Sequence, residues 1–430
     1  MHFYELIWYN FSMEFIADLH IHSRYSRATS KDMSPEGIWK WAQLKGIKVI
    51  GSGDFTHPKW FKELREKIEP AGNGLFLLKK GFQKDDIPDT CKSDVFFLLS
   101  AEVSCIYRKK GKTRRIHSII LIPDFTDAAR INTALSRRGN LNADGRPILG
   151  IDTKELLKII IDVSPHSLFI PAHAWTPHFS VFGAESGFDS LEECFEELTN
   201  HIYAIETGLS SDPPMNWRIS SLDRITLISN SDAHSLKKIG REATIFDTDI
   251  SYKAIVKAIK TKNGFIGTIE FFPEEGKYHY DGHRLCGVRL SPKDTIEHNY
   301  LCPVCSKKVT VGVMHRVEKL ADREDGFIPE GSPSFYSIIP LPEIISETLN
   351  IGINSKGVDN VYQRLLQRLG SEFKILMHAS LKDIGEAGSA LLREAISRMR
   401  SGNVFIKPGF DGEYGKIKIF KIAEIRDKMK

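Results

Sequence analysis

The sequence predicts an α/β protein whose first 270 residues form a barrel of seven strands. Apolar runs typical of buried strands alternate with helical patterns, and nearly every strand-like run ends in, or is followed at once by, a histidine or a carboxylate. The strand-like runs span residues 15–22, 47–54, 95–104, 116–123, 168–174, 204–208 and 225–232. The helical patterns span residues 34–44, 60–68, 153–163, 188–200 and 252–262. A complete α/β barrel has eight strands, and seven are predicted here. The sequence therefore favours a barrel with one strand fewer over a doubly wound sheet.

The first strand carries the motif Asp18-Leu19-His20-Ile21-His22-Ser23. Apolar and polar positions alternate along it, so His20 and His22 point to the same face of the strand. Two imidazoles one residue apart on one face can bind a single cation together. After this strand, Ser34 followed by Pro35 predicts the start of the first helix, with Ser34 as its N-cap.

Residues able to bind a metal also lie at the end of most later strand-like runs or directly after them, with His117 just inside its strand. They are Asp54, His57, Glu102, His117, His173, Glu206, Asp232 and His234. Because the carboxyl ends of barrel strands meet on one face, we expect a shared metal centre there. Mixed imidazole and carboxylate ligands suit zinc, manganese or iron better than magnesium. Such ions activate water and stabilise a phosphoester displacement, so the predicted reaction is phosphoester hydrolysis.

The composition limits the function classes. The chain has 430 residues, of which 41% are hydrophobic and 27% charged, and no apolar run approaches the roughly 18 residues that span a bilayer. A membrane-embedded protein is therefore excluded at this stage. The net charge of +4 neither requires nor excludes nucleic acid. Residues 1–13 lack the basic leader and cleavage site of a signal peptide, so we expect them to be an extension or a mis-assigned start.

The second half of the chain predicts a structural zinc site. Cys302-Pro-Val-Cys305 is a metal-binding pair, and Cys286 and His315 would complete a tetrahedral Cys₃His site. His283 and His298 are nearby substitutes for His315. Cysteines grouped in this way indicate metal in a reducing compartment rather than disulfides, so we expect a cytoplasmic protein. From residue 331 onward the pattern is mainly helical, with a hairpin predicted near residues 410–415.

Two further groups of residues bear on the substrate. A predicted hairpin tip between the strands of Glu102 and His117 is strongly basic, which suits a polyanion backbone unless it is only a solvated loop. Its cations are Arg108, Lys109, Lys110, Lys112, Arg114 and Arg115. The aromatic residues Trp175, Phe179 and Phe182 follow His173 and could stack on a flipped base, although each could equally pack in the core.

The strand-end motifs, taken together, resemble those of the PHP (polymerase and histidinol phosphatase) superfamily over residues 14–270. The order of the later segments, including Gly282-His283-Arg284-Leu285-Cys286 and Val313-Met314-His315-Arg316, resembles the endonuclease Q family over the whole chain. The resemblance implies a distorted PHP-type (β/α)₇ barrel at 14–270, a small zinc-binding domain at 271–330 and a mainly helical, DNA-binding domain at 331–430. It also implies incision of DNA on the 5′ side of uracil, hypoxanthine, xanthine or abasic sites.

The resemblance further implies two or three divalent ions of zinc, manganese or magnesium, besides one structural zinc. His20, His22, Glu102 and Asp232 would hold the first ion and carry catalysis, and Glu102 would bridge to a second ion held by His117 and His173. His234 and a residue of the second motif would hold the remaining ion. Many PHP proteins have adjacent Asp-His in that motif, whereas this chain has Asp54-Phe-Thr-His57, so either residue or both could be the ligand.

The expected partner is double-stranded DNA with damaged bases, the expected oligomeric state is a monomer, and the replication sliding clamp is a candidate protein partner. Two alternatives to the endonuclease stay open. A PHP small-molecule phosphatase would leave about 160 C-terminal residues without a role. A non-catalytic DNA-binding protein would have no use for a nearly complete set of metal ligands.

Overall fold

The computed structural model of the protein describes residues 14–421 and residue 424, so the predicted extension at residues 1–13 lies outside the described residues. The strands are β1 (Glu14–Asp18), β2 (Val49–Gly51), β3 (Ile68–Pro70), β4 (Phe76–Leu78), β5 (Phe96–Lys109), β6 (Lys112–Ile122), β7 (Ile148–Leu149), β8 (Leu168–Pro171), β9 (Ala204–Glu206), β10 (Thr226–Ile228), β11 (Ala243–Asp247), β12 (Phe265–Glu270), β13 (Asp281–His283), β14 (Val288–Leu290), β15 (Ser334–Ser337), β16 (Phe405–Lys407) and β17 (Lys416–Lys418).

The helices are α1 (Pro35–Lys45), α2 (Pro58–Lys67), α3 (Phe125–Ser136), α4 (Thr153–Val163), α5 (Leu191–Phe195), α6 (Pro213–Trp217), α7 (Tyr252–Thr261), α8 (Pro292–Glu297), α9 (Val313–Leu320), α10 (Leu341–Leu349), α11 (Lys356–Leu369), α12 (Leu381–Ala387) and α13 (Ala390–Arg400). The start of α1 confirms the prediction, because the Ser34 hydroxyl accepts a hydrogen bond from Gly37 N. Among the described residues, no helix combines the length and the apolar composition that crossing a membrane requires.

The predicted α/β barrel is confirmed and is made of β1, β2, β5, β6, β8, β9 and β10. Strands β1, β2 and β5 pair in parallel, and β9 pairs in parallel with β10. A parallel bridge between Ile21 and Ala233, just beyond β1 and β10, brings the two ends of the barrel wall together. The carboxyl ends of these strands, apart from that of β6, therefore converge on one face.

One barrel strand runs against the others. Strand β6 is antiparallel to β5 and to β8. The reason is the two-residue connection Lys110-Gly111, in which both residues have positive φ values of 51° and 77°. Such a tight turn reverses the chain, whereas a parallel strand would need a crossover of a dozen or more residues.

The C-terminal part of the chain packs on the barrel. Strand β11 pairs antiparallel with β1, β12 pairs with β11, and β15 adds to the edge of β12. The buried pair between Lys45 Nζ and Glu372 Oε2, at 2.7 Å, links α1 to the helical region. One continuous apolar core includes residues of the barrel and of α10–α13. The predicted C-terminal hairpin is confirmed by the antiparallel pairing of β16 with β17.

Candidate metal centres

The two histidines of the first motif meet two carboxylates at the carboxyl ends of the barrel strands. His22 Nε2 lies 3.2 Å from Glu102 Oε2 and 3.0 Å from Asp232 Oδ1. His20 Nε2 lies 3.6 Å from Glu102 Oε2 and 3.7 Å from Asp232 Oδ1. One ligand atom of each of these four residues lies within 4.8 Å of the others, which is a spacing that a single cation can bridge.

A second group shares Glu102. Its other oxygen, Oε1, lies 2.7 Å from His117 Nδ1 and 3.0 Å from His173 Nε2. Burial lowers the pKa of His117 to about 4, although the neighbouring Glu102 acts to raise it. Burial opposes ionisation of Glu102, but His117 and Arg146 outweigh it and hold the pKa of Glu102 well below its usual range. Glu102 is therefore a carboxylate placed between two groups of ligands.

The atoms in the first group fit a cation. His20 Nε2, His22 Nε2 and Asp232 Oδ1 are buried and have no hydrogen-bond partner of acceptable geometry. Buried polar atoms without partners are costly, and a divalent ion would satisfy all three at once. Neutral imidazoles and carboxylates are ligands for zinc and manganese. The donor set thus fits the ions that the sequence predicts.

Two more carboxylates orient the ligands from behind. Glu206 Oε1 lies 3.0 Å from His20 Nδ1, and Asp54 Oδ1 lies 3.1 Å from His22 Nδ1. Such outer carboxylates fix the tautomer of a ligating histidine and raise its basicity. The prediction of Asp54 as a ligand is corrected here, because its Oδ2 already accepts hydrogen bonds from Ser23 and Ser26. Asp54 holds His22 in place.

His57 and His234 lie near the centre but outside both groups of ligands. His57 precedes Pro58 at the start of α2 and stacks on Tyr25 at a centroid distance of 4.6 Å, so we correct its prediction as a ligand. His234 packs against the His22 ring at 4.4 Å, and its Nδ1 lies 2.9 Å from the carbonyl oxygen of Asp232. Its role in holding a further ion stays a prediction.

The sequence analysis missed one cation at the centre, Arg146. Its Nη1 donates to Glu102 Oε2 at 2.9 Å, and 26% of its side chain is exposed. Arg146 follows no strand of the barrel, so the rule that selected the ligands could not find it. The Asp144-Gly145-Arg146 turn between two helical patterns was the available signal.

A separate group of four residues could hold the structural zinc. The ligand atoms of His283, Cys286, Cys302 and Cys305 lie within 4.8 Å of one another. The prediction of His315 is corrected, because its Nδ1 bonds to Asp281 Oδ2 at 2.7 Å instead. His283 ends β13, and the single 3-10 turn Arg284–Cys286 that follows places Cys286 beside it, before Gly287, with φ of 65°, leads the chain into β14. The His-x-x-Cys spacing, equal to that of Cys302 and Cys305, was the sequence signal for this pair.

Solved structures resemble this chain over nearly its whole length. The lesion-specific endonuclease PfuEndoQ from Pyrococcus furiosus is 30% identical, with a TM-score of 0.82, and the match covers 96% of this chain and 99% of that one. An endonuclease Q bound to a 27-mer duplex with an abasic lesion at its active site is 31% identical, with a TM-score of 0.81, covering 96% and 98%. The chain belongs to the endonuclease Q family.

This endonuclease Q family member is also similar to two uncharacterized proteins and matches two family models. YqxK of Bacillus subtilis is 30% identical over 415 residues, which cover 94% of this chain and 98% of YqxK. MJ0043 of Methanocaldococcus jannaschii is 33% identical over 260 residues, which are 59% of this chain but only 31% of MJ0043. A model of the MJ0043 C-terminal domain matches residues 340–403, and a PHP-associated model matches residues 219–263.

In this endonuclease Q family member five of the six cations of the basic hairpin tip divide into two sets, and Lys110 belongs to neither. Lys109 Nζ is 3.0 Å from Asp152 Oδ2 and 2.8 Å from Glu196 Oε1. Arg114 is buried, with its guanidinium 4.0 Å from the centroid of the Phe188 ring. These two are corrected from DNA contacts to structural residues, because acids distant in sequence fold against the tip. Lys110 lies 3.4 Å from Glu193, while Arg108, Lys112 and Arg115 keep their prediction as DNA contacts.

The three candidate aromatic residues also separate. Trp175 and Phe182 are 1% and 2% exposed and pack on each other at 5.0 Å, so they are core residues and their prediction as a base pocket is corrected. Trp175 Nε1 donates to Asn216 Oδ1, which satisfies its polar atom. Phe179 is half-buried, has φ of 63° and lies 4.7 Å from the His117 ring. It keeps its prediction as a base contact at the edge of the centre.

Proposed function

We propose that this protein is a metal-dependent DNA repair endonuclease that hydrolyses the phosphodiester 5′ of deaminated bases or abasic sites. The observation that carries the proposal is Glu102, whose two oxygens join two groups of metal ligands at one end of the barrel. Paired metal sites of this kind serve the hydrolysis of phosphodiesters. A relative of the same family has been seen on a duplex with an abasic lesion at its active site.

The residues of the centre have two proposed roles, which are to hold the metal ions and to orient the ligands. His20, His22, Glu102 and Asp232 would hold one divalent ion, and Glu102, His117 and His173 a second, with zinc or manganese favoured by the donor set. Ions bound there would polarise the phosphodiester and lower the pKa of a water molecule toward about 7. Glu206 and Asp54 keep the Nε2 atoms of His20 and His22 directed into the centre. His234 is proposed to assist a third ion.

Several features favour DNA over a small phosphomonoester. The family match extends over the zinc-binding and helical regions, which we propose as domains at 271–330 and 331–430. The exposed cations Arg108 and Lys112 lie at the tip of the β5–β6 hairpin, which carries Glu102 and His117 at its base.

We further propose a structural zinc held by His283 and the three cysteines. Six free cysteines and a DNA substrate suit the cytoplasm. A monomer and a sliding-clamp partner stay predictions.

The test is nicking of duplexes that each contain one abasic site, uracil, hypoxanthine or xanthine, with manganese or with chelator. Wild type should nick 5′ of the lesion only with metal, and it should release little phosphate from a small monoester. Asp232→Asn should lower nicking by about 10³-fold or more while DNA affinity changes only a few-fold, because its carboxylate serves the reaction rather than binding. Monoester hydrolysis without lesion-dependent nicking would favour the phosphatase.

A further inference from the structure

Arg146 lies at the carboxylate that the two groups of ligands share. Its Nη1 is 2.9 Å from Glu102 Oε2, the same oxygen that lies 3.2 Å from His22 Nε2. Glu102 is fully buried, but the Arg146 side chain is 26% exposed and so reaches solvent from the centre. Among residues 14–421, the bond to Glu102 is the only side-chain hydrogen bond of Arg146, which leaves four of its five N–H groups available.

The loop that carries Arg146 is held firmly. Gly145 N donates to Tyr25 O at 3.0 Å, and Thr56 Oγ1 donates to Gly145 O at 3.2 Å. A Cβ atom at Gly145 would collide with the Asp54 carboxylate and the Ser26 hydroxyl, so only glycine lets the loop pack this closely. The fold therefore places the guanidinium at the centre.

The charges at the centre call for an anion beside Arg146. Cations in both groups of ligands and the guanidinium would share Glu102, and Asp232 is the other carboxylate that faces them. Like charges this close repel strongly in a buried site, and the single carboxylate that they share would not offset all of them, so a further anion is favoured there. A phosphodiester is such an anion, and a guanidinium can bind two of its oxygens with parallel hydrogen bonds.

We propose that Arg146 binds the non-bridging oxygens of the scissile phosphodiester and stabilises the charge that develops on them during cleavage. This inference rests on the proposed function, and it adds a catalytic residue that is not a metal ligand. A purely structural alternative is that Arg146 only orients Glu102. The phosphate contact and the structural role differ in two predictions: the metal content of Arg146 variants, and the loss of DNA affinity when the phosphate charge is removed.

The experiment compares wild type with Arg146→Gln, Arg146→Lys and the control Arg138→Gln. Arg138 is half-exposed and pairs with Glu155 at 2.9 Å, so the control removes an arginine ion pair next to the same loop. Nicking of a duplex with one abasic site is measured in single turnover with manganese. We expect Arg146→Gln to be about 10²–10³-fold slower, Arg146→Lys intermediate, and Arg138→Gln equal to wild type. Metal content, measured by mass spectrometry, should be equal in all four.

Binding provides a readout that is separate from activity. In an Asp232→Asn background, affinity is measured for duplexes whose linkage 5′ of the lesion is either a phosphate or an uncharged methylphosphonate. With Arg146 present, removing the charge should weaken binding about tenfold or more, and in the Arg146→Gln double variant the loss should be smaller by a similar factor.

Each outcome distinguishes a phosphate contact of Arg146 from a purely structural role. Equal methylphosphonate effects with and without Arg146, or a loss of metal in Arg146→Gln, would overturn the phosphate contact in favour of the structural role. Full activity of Arg146→Gln would overturn it as well, while leaving the endonuclease function intact. Wild type that nicks no lesion-containing duplex would refute both proposals together.

Discussion

The basic hairpin offers a sharp test of DNA binding, because five of its six cations form two sets. Arg108 and Lys112 are exposed, and Arg115 is half-buried with its guanidinium 5.8 Å from the Phe179 ring. Lys109 and Arg114 point the other way, toward Asp152, Glu196 and the backbone of residues 187–194. We call Arg108, Lys112 and Arg115 the exposed set, and Lys109 and Arg114 the paired set. Changing the exposed set to alanine should weaken DNA binding, and changing the paired set should lower the stability of the fold.

The size of each effect follows from the contacts. A cation that neutralises one phosphate contributes about 0.9 to the slope of log affinity against log salt on duplex DNA, so the exposed set contributes up to about 2.7. Lys109→Ala with Arg114→Ala should leave that slope unchanged. It should instead lower the free energy of unfolding by roughly 2 kcal/mol, because buried acceptors lose charged donors.

The assay is fluorescence anisotropy with an abasic duplex between 50 and 200 mM salt, an interval of about the size over which such contacts lose most of their affinity. An Asp232→Asn background prevents cleavage during the titration. Sequence preference should not change in either variant, because backbone contacts carry no base information. Equal slopes for the triple variant and its parent would refute the placement of DNA along this hairpin.

Two further predictions concern metal and pH. His283→Ala should remove zinc and lower the melting temperature, whereas His315→Ala should keep its zinc; the reverse zinc contents would contradict the assignment. Burial raises the pKa of Glu270 from 4.5 to about 8, so its contribution to stability is full below pH 4.5 and is lost as the pH rises toward 8. Glu270→Gln should therefore raise the melting temperature at pH 8 more than at pH 5, and an equal gain at both would count against the protonated state.

The sequence by itself determined the barrel and most of the residues that meet at its candidate metal centre. Period-two apolar runs need a buried sheet, and the carboxyl ends of barrel strands meet whatever their distance along the chain. His20, Glu102 and Asp232 could therefore be placed together from their positions near the ends of the predicted strands, although β5 continues beyond Glu102 to Lys109. The start of α1 followed equally directly, because the Ser34 cap is a contact within three residues.

Only the tertiary structure decided which residues near the centre have atoms placed where they could bind a metal ion. Asp54 could not be told from a ligand because its partners, His22 and Ser23, come from another strand end. The pairing of Lys109 at the basic tip could not be predicted for a related reason, since the acid Glu196 that neutralises it follows 87 residues later. Arg146 reaches Glu102 from a loop whose path is set by the close approach of Gly145 to Asp54. Local periodicity carries no information about such contacts, because they depend on how distant segments pack.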